Sequence, residues 1–314
     1  MKIDAWDKKI LTNLYKNSRA TLSELSKKVG LPKENIHYRI KRFEKENIIN
    51  YIPYVNLSKL GYNYFLIRLR IDPMNNKYKS TINSIKNLKQ VIWLSEEKIQ
   101  QSNDYNINII YIEKVLSKAE DFVDNYREKR HVLFADIKLI RVLFRGYNEI
   151  YGEDEKHDCI SKTGAYRYNE KYDYTDQRLV EALLKNSRSR LTELSKTIGI
   201  SELTVKNRIL SLMKRKIIDQ FMIALKFDKL PGKFIMFRIS KKSGEASKTV
   251  WPTLSKYFNE LMIITPFFWE DRIIFGRVKD EDNLIKAFSD LTKLKNFEVN
   301  SLSEKTRIVK NKIF

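Results

Sequence analysis

Apolar positions at the start of the chain recur at helical spacing. Trp6, Ile10, Leu11 and Leu14 share one face of a first helix, because side chains three and four apart stack along a helix. Leu22, Leu25 and Val29 resume the pattern after a break. Thr21 is placed to be the N-cap of that second helix, with Glu24 three residues on as its capping-box partner. Gly30 ends it where a left-handed residue is wanted. Pro32 stands near the next start, where its missing N–H costs nothing. Ile36, Ile40 and Phe43 then form the inner face of a third helix. Short amphipathic helices around a glycine-containing turn predict a helix-turn-helix, and residues 48–55 read as a β-hairpin wing.

Beyond the wing the period changes. Strands are expected at 64–71, 91–98, 105–112 and 135–143, and helices at 76–88 and 115–129. The order βαββαβ is that of a ferredoxin-like α+β unit. The whole pattern then returns. Lys16-Asn17-Ser18-Arg19 becomes Lys185-Asn186-Ser187-Arg188, and Leu22-Ser23-Glu24-Leu25-Ser26-Lys27 becomes Leu191-Thr192-Glu193-Leu194-Ser195-Lys196. The same offset takes Asp4, Asp7, Gly30, Arg39 and Ile48-Ile49 to Asp173, Asp176, Gly199, Arg208 and Ile217-Ile218. A repeat this long is a duplicated domain pair, not a solenoid. The second α+β half is expected at 234–240, 245–258, 262–269, 272–278, 281–294 and 297–302.

The expected fold is therefore α+β: two winged helix-turn-helix domains alternating with two ferredoxin-like βαββαβ domains. The bounds read 1–56, 57–150, 172–228 and 229–314, with a polar linker at 151–171.

At Asp4, Asp7, Ile10-Leu11, Arg19, Leu25-Ser26, Val29-Gly30-Leu31, Ile36, Arg39-Ile40, Phe43-Glu44, Ile48-Ile49 and Leu60-Gly61, and again from Asp173 to Gly232, the sequence resembles the leucine-responsive regulator/AsnC family of transcription regulators. That resemblance implies a DNA-binding first domain and a second that mediates dimerisation and often senses an amino acid. Two copies in one chain depart from the family's usual single copy. The resemblance thus implies an intramolecular pseudo-dimer, with room for further homo-oligomers.

On a wheel of the third helix, Glu34, Tyr38, Lys41 and Lys45 oppose the apolar face, flanked by Lys33, His37 and Arg42. Cations and an aromatic there suit phosphate contacts and base-edge readout of double-stranded DNA. The expected DNA-binding set is Lys33, Glu34, His37, Tyr38, Arg39, Lys41, Arg42 and Lys45, with Lys206, Asn207, Arg208 and Lys214 from the second copy. Arg19 and Arg39 equally suit salt bridges to nearby carboxylates. In the second copy Lys41 has become Leu210 and Arg42 has become Ser211, and Leu203 stands where Glu34 was. The first reading helix is therefore expected to dominate. Asn47, which tolerates left-handed geometry before Ile48, is replaced by Lys216.

Composition narrows the classes. A net charge of +21 over 314 residues favours polyanionic partners. Cys159 is the single cysteine, so no intrachain disulfide forms, and His37, His131 and His157 have no metal-ligand spacing. No signal core opens the chain and no run nears the ~18 apolar residues of a membrane helix, so a cytoplasmic protein without a membrane partner is expected. No catalytic constellation, metal site, P-loop or dinucleotide fingerprint is readable, so neither catalysis nor a cofactor is expected.

The family's ligand loop is usually glycine-rich. Here residues 95–105 hold no glycine, and only Asp104 matches an acidic ligand-contacting position, which argues against an amino-acid effector. Two rival readings stay open. Sirohaem decarboxylases resemble the same family and occur as fused pairs; Arg130 and His131 are the adjacent residues suited to a macrocycle's carboxylates. A nucleoid-organising protein with little sequence preference also fits the charge.

Overall fold

The computed structural model describes residues 3–97, 106–147, 160–161, 171–225, 232–241, 247–266, 272–278, 280–293, 297–303 and 306–311. The first copy opens with α1 (Ala5–Lys16), α2 (Leu22–Val29), α3 (Lys33–Lys45) and β1 (Ile49–Val55). After a 3-10 turn follow β2 (Asn63–Ile71), α4 (Tyr78–Asn87), β3 (Val91–Glu97), β4 (Ile107–Glu113), α5 (Leu116–Arg127) and β5 (Val132–Tyr147). A two-residue strand, β6 (Ile160–Ser161), lies between the copies. The second copy begins with α6 (Tyr174–Lys185), α7 (Leu191–Ile198), α8 (Glu202–Lys214) and β7 (Ile218–Leu225). It continues with β8 (Lys233–Lys241), α9 (Ser247–Leu254), β9 (Phe258–Pro266), β10 (Arg272–Val278), α10 (Glu281–Thr292), β11 (Phe297–Ser303) and β12 (Thr306–Asn311).

Local chemistry explains the helix boundaries. Thr21 accepts the Glu24 N–H, and the Thr21 N–H reaches the Glu24 carboxylate at 2.7 Å, so two of the helix's orphan donors are satisfied. Gly30 and Gly199 close α2 and α7 at φ 81° and 83°, a left-handed turn that glycine adopts without a Cβ penalty. The left-handed turn after the third helix is present in both copies, at Asn47 (φ 57°) and at Lys216 (φ 58°). The second copy keeps the turn with a residue less suited to it.

The expected hairpin wing does not form within a copy. Residues 48–55 hold no Asn-Gly-type turn, and the segment runs as one strand. β1 takes its partner from the other copy: it pairs antiparallel with β7, Ile49 opposite Leu225 and Pro53 opposite Phe221.

The α+β halves exchange strands in the same reciprocal way. β2-α4-β3-β4-α5-β5 and β8-α9-β9-β10-α10-β11 both follow the βαββαβ order. The first part of β5 pairs with β2, and its continuation from Ile140 to Tyr147 pairs with β9 of the second copy. Conversely β11 pairs with β8, and β12, next in sequence, pairs with β3 of the first copy. Residues 306–311 were expected to carry no element. Their strand is the second copy's counterpart of the long tail of β5.

Alternation along the strands decides which face goes where. Phe65, Ile67 and Leu69 of β2 pack under α4 and α5 with Ile85, Ala119 and Val123. Leu66 points the other way, into one cluster with Trp93, Ile110, Met236, Met262 and Phe275. Trp93 meets Phe275 edge to face with ring centroids 4.3 Å apart, so the two sheets pack on each other. Phe237, Ile239, Val250 and Leu291 form the matching outer core of the second copy.

The first helix-turn-helix has its own core of Ile10, Leu14, Leu25, Ile36 and Phe43, closed by Met222 and Ile223 from β7. The second, around Leu183, Val205 and Leu212, runs without a break into the inter-sheet core.

Candidate nucleic-acid interface

Each reading helix is gripped by an aspartate of the first helix of its unit. Asp4 caps α1 and, with Asp7, forms a capping box. The Asp7 backbone N–H, with Arg39 adding to it, holds the Asp4 carboxyl below the usual carboxylate range. Asp7 has a side chain only 1 % exposed and receives two guanidiniums from α3: Arg39 at 2.6 Å and Arg42 at 2.6 Å. Arg39 also reaches Asp4 at 2.7 Å.

In the second copy Arg208 bridges Asp173 at 2.7 Å and Asp176 at 2.8 Å. Ser211 has replaced Arg42, and the second guanidinium comes instead from Arg215, one turn further on, at 3.3 Å from Asp176. Arg39, Arg42 and Arg208, expected among the DNA contacts, thus spend their guanidiniums inside the protein. A nearly dry carboxylate such as Asp7 requires that compensation. The repeat carried the clue, since Asp4, Asp7 and Arg39 recur together as Asp173, Asp176 and Arg208.

The two units are joined about a local two-fold relation. Ser18 and Ser187, equivalent residues 169 apart, meet with their hydroxyls 3.1 Å from each other in a buried contact. Arg19 donates to the Ser187 and Ser189 carbonyls at 2.8 and 3.0 Å and lies over the Phe221 ring. Arg188 reaches the Ala20 carbonyl at 3.3 Å and lies over the Tyr51 ring. Neither the β1–β7 pairing nor this role of Arg19 was evident from the sequence, which offered Arg19 only carboxylates as partners.

The outward faces differ. On α3 the residues Lys33, Glu34, His37, Tyr38, Lys41 and Lys45 are all exposed, Tyr38 by 70 %. On α8 Leu203 is 67 % exposed and Leu210 54 %, alongside exposed Lys206, Asn207 and Lys214.

The support beneath differs too. Lys41 pairs with Glu44 at 2.8 Å, Tyr51 donates to Glu44 at 2.8 Å, and Arg188 of the other copy donates to the Tyr51 hydroxyl at 3.2 Å. Desolvation and Glu44 push the Tyr51 phenol well above its usual range, so it stays a donor. The equivalent positions in the second copy are Leu210, Met213 and Gln220.

Other expected residues lie apart from this face. Asp104 falls outside the described residues, as do the rest of its loop at 98–105 and all but residues 160–161 and 171 of the expected linker. His131 is buried, with Nε2 2.8 Å from the Thr81 hydroxyl. It lines an open pocket of about 490 Å³ with Arg130 and Lys77 at the outer, helical side of the first sheet. Among the described residues no group of three or more His, Cys, Asp or Glu is placed to hold a metal. No helix among them is long and apolar enough to cross a membrane.

Two helix-turn-helix units on paired ferredoxin-like sheets define a DNA-binding transcription regulator of tandem build. A winged helix-turn-helix DNA-binding family model matches twice, at residues 3–50 and 172–219. An uncharacterized HTH-type transcriptional regulator of Pyrococcus furiosus is 40 % identical over 74 residues, 23 % of this chain and about half (49 %) of that relative's length. Another, of Pyrococcus horikoshii, is 31 % identical over 125 residues, 36 % of this chain and 83 % of the relative. The HTH-type transcriptional regulator FL11 of Pyrococcus furiosus is 28 % identical over 128 residues, 40 % of this chain and 77 % of the relative. Among solved structures, the siroheme decarboxylase NirDL superposes with a TM-score of 0.63 over 98 % of this chain and 93 % of that one. Its identity is 15 %, so the likeness is one of fold alone. The chain belongs to the family of HTH-type transcriptional regulators that these Pyrococcus relatives represent, and carries the winged helix-turn-helix unit twice.

Proposed function

We propose that one chain reads DNA as a built-in pseudo-dimer, placing two non-identical reading helices on one duplex. The observation that carries this is the reciprocal pairing of the two units through β1, β7 and the Ser18–Ser187 contact. Tethering makes that pairing intramolecular, with an effective concentration of roughly millimolar order. Lys33, Glu34, His37, Tyr38, Lys41 and Lys45 contact DNA from α3, and Lys206, Asn207 and Lys214 from α8. Arg39, Arg42 and Arg208 fix the helices that carry them. The working units are 1–56 with 172–228 for DNA, and 57–150 with 229–314 for pairing, in a cytoplasmic protein acting without catalysis. The high positive charge supports the same reading.

Titrating a labelled duplex at several salt concentrations tests it. One chain per site is expected, with affinity falling steeply as salt rises. Two chains per site would sink the built-in pairing, and no affinity for any duplex at low salt would sink DNA reading altogether. Absorbance changes on adding sirohaem would favour the decarboxylase-like alternative instead.

A further inference from the structure

The outward stripe of α8 runs Leu203, Asn207, Leu210, Lys214, and that of α3 runs Glu34, Tyr38, Lys41, Lys45. Each stripe is the face opposite the buried residues of its helix, Val205, Ile209 and Leu212 or Ile36, Ile40 and Phe43. The chemistry of the two is not interchangeable. In the major groove only thymine offers a methyl group, which apolar side chains meet. Adenine offers the N6/N7 pair that an asparagine amide grips at both ends. Cytosine N4 donates to carboxylates, and guanine O6 and N7 accept from lysine.

Leu203 and Leu210 flank Asn207 on successive turns. At 1.5 Å rise per residue the two leucines lie about 10 Å apart along the helix, or about three base-pair steps. Resting on the DNA-reading function proposed above, we infer that the two helices read different base pairs. α8 reads an A·T half-site, through Asn207 on adenine and Leu203 and Leu210 on thymine methyls. α3 reads a half-site containing G·C, through Glu34 on cytosine and Lys41 on guanine.

Two further observations favour DNA over a protein partner as the occupant of the leucine stripe. Lys206 and Lys214 stand exposed beside the leucines on the same helix, which suits phosphates flanking a groove. The two-fold pairing that presents α3 outward presents α8 in the equivalent way. The divergence is also coordinated in depth. Where Lys41 is steadied by Glu44 and Tyr51, the equivalent positions in the second copy are Leu210, Met213 and Gln220. The cation and the carboxylate that supports it have been replaced together.

The test starts with the full chain selecting duplexes from a random library. Expected are asymmetric sites, A·T in one half and G·C in the other, about one helical turn apart. On a selected duplex, uracil replaces thymine in the A·T half, which removes only the methyl groups. Binding of the wild type should fall several-fold, and binding of the Leu203→Ala/Leu210→Ala variant should be indifferent to the exchange. Both residues are exposed, so the variant keeps its fold, and circular dichroism checks this. Asn207→Ala should erase a preference for adenine of the order of tenfold, and Glu34→Ala should relax only the cytosine in the other half.

Two halves of like sequence, or an equal cost of uracil in wild type and variant, overturns the assignment. So does a leucine variant that binds every duplex unchanged but loses mass in solution, which would make the stripe a protein contact. Binding of all sequences alike leaves DNA binding intact and removes this code. Binding of none removes both.

Discussion

The two helix-turn-helix copies agree where they hold themselves together and disagree where they face outward. Asp7 and Asp176 are both buried, and both receive two guanidiniums from the following reading helix. The second copy has lost Arg42 to Ser211, yet keeps the arrangement by supplying Arg215 from the next turn. On the opposite side of the same helices a carboxylate, a phenol and a cation have become leucine, asparagine and leucine. A buried charge must be compensated, so its partner can move along the helix but cannot vanish. An exposed position carries no such constraint and follows its partner outside the chain.

The largest effect should come from the constrained side. Asp7→Ala removes the carboxylate from Arg42, leaves Arg39 only Asp4, and should cost about 1.5–3 kcal/mol of stability, since both guanidiniums keep contact with water. Asp176→Ala should cost less, because the Arg215 contact is longer and its aspartate more exposed, 7 % against 1 %. Denaturant unfolding of the two variants measures the gap. Equal costs would mean that the two clamps are energetically alike despite their geometry. Arg42→Ala belongs with these as a probe of folding.

The next effect lies on the outward side. Replacing Lys33 and Lys45 with Ala should flatten the dependence of log affinity on log salt by up to about 0.9 for each phosphate that a lysine no longer neutralises. Replacing Lys206 and Lys214 should flatten it less. The sequence itself weakens that flank of the second copy, since Glu202 stands where Lys33 does. Identical changes in slope from the two sets would show that charge is shared evenly between the helices.

The sheets carry the same kind of asymmetry. In strand register Arg68 stands opposite Asp136 across β2 and β5, and Arg238 stands opposite Ser301 across β8 and β11. Lys138 bonds Asp136 at 3.2 Å, and its counterpart is Ser303: the two stand opposite Leu66 and Met236 respectively. Burial first, then the charge of Arg68, lowers the Lys138 ammonium from 10.5 to about 8. Below pH 8 both folded and unfolded chains hold the proton, and the folded state bears the full cost. Between about 8 and 10.5 the unfolded chain binds more protons, so stability rises with pH. Lys138→Met should therefore add roughly 1–2 kcal/mol at pH 7 and remove that rise. Unfolding of wild type and variant at pH 7, 8, 9 and 10 checks it, and parallel profiles would refute the buried-cation cost.

Much of this was legible from local rules. The Thr21–Glu24 box, the Gly30 stop and the βαββαβ order rest on contacts within a few residues, and periodicity reports those. What the pattern missed lies across the repeat. β1 has no hairpin turn of its own, and its partner stands about 170 residues away. β12 joins a sheet edge built from residues 91–97. Exposure on a wheel also does not reveal which cations are already engaged: Arg42 read as a DNA contact, and for Arg39 the salt bridge stood beside DNA as an equal reading. The recurrence of Asp4, Asp7 and Arg39 as Asp173, Asp176 and Arg208 was the trace that names those carboxylates.

The smallest effect isolates a single backbone angle. Asn47 and Lys216 hold the same left-handed turn, φ 57° and 58°, between reading helix and strand. For a residue with a Cβ that region costs about 1–2 kcal/mol, less for asparagine, whose short polar side chain bonds locally. Lys216 also pairs with Asp219 at 3.3 Å, but both side chains are largely exposed, so that pair contributes little. Lys216→Asn should therefore stabilise the chain by about 0.5–1 kcal/mol, and Asn47→Lys should destabilise it by a similar amount. Glycine at either site tests the cause, since it relieves the steric cost without a side-chain bond and should match asparagine at 216. A Lys216→Asn change that lowers the unfolding midpoint would place the stabilising interaction in the lysine side chain and not in the turn.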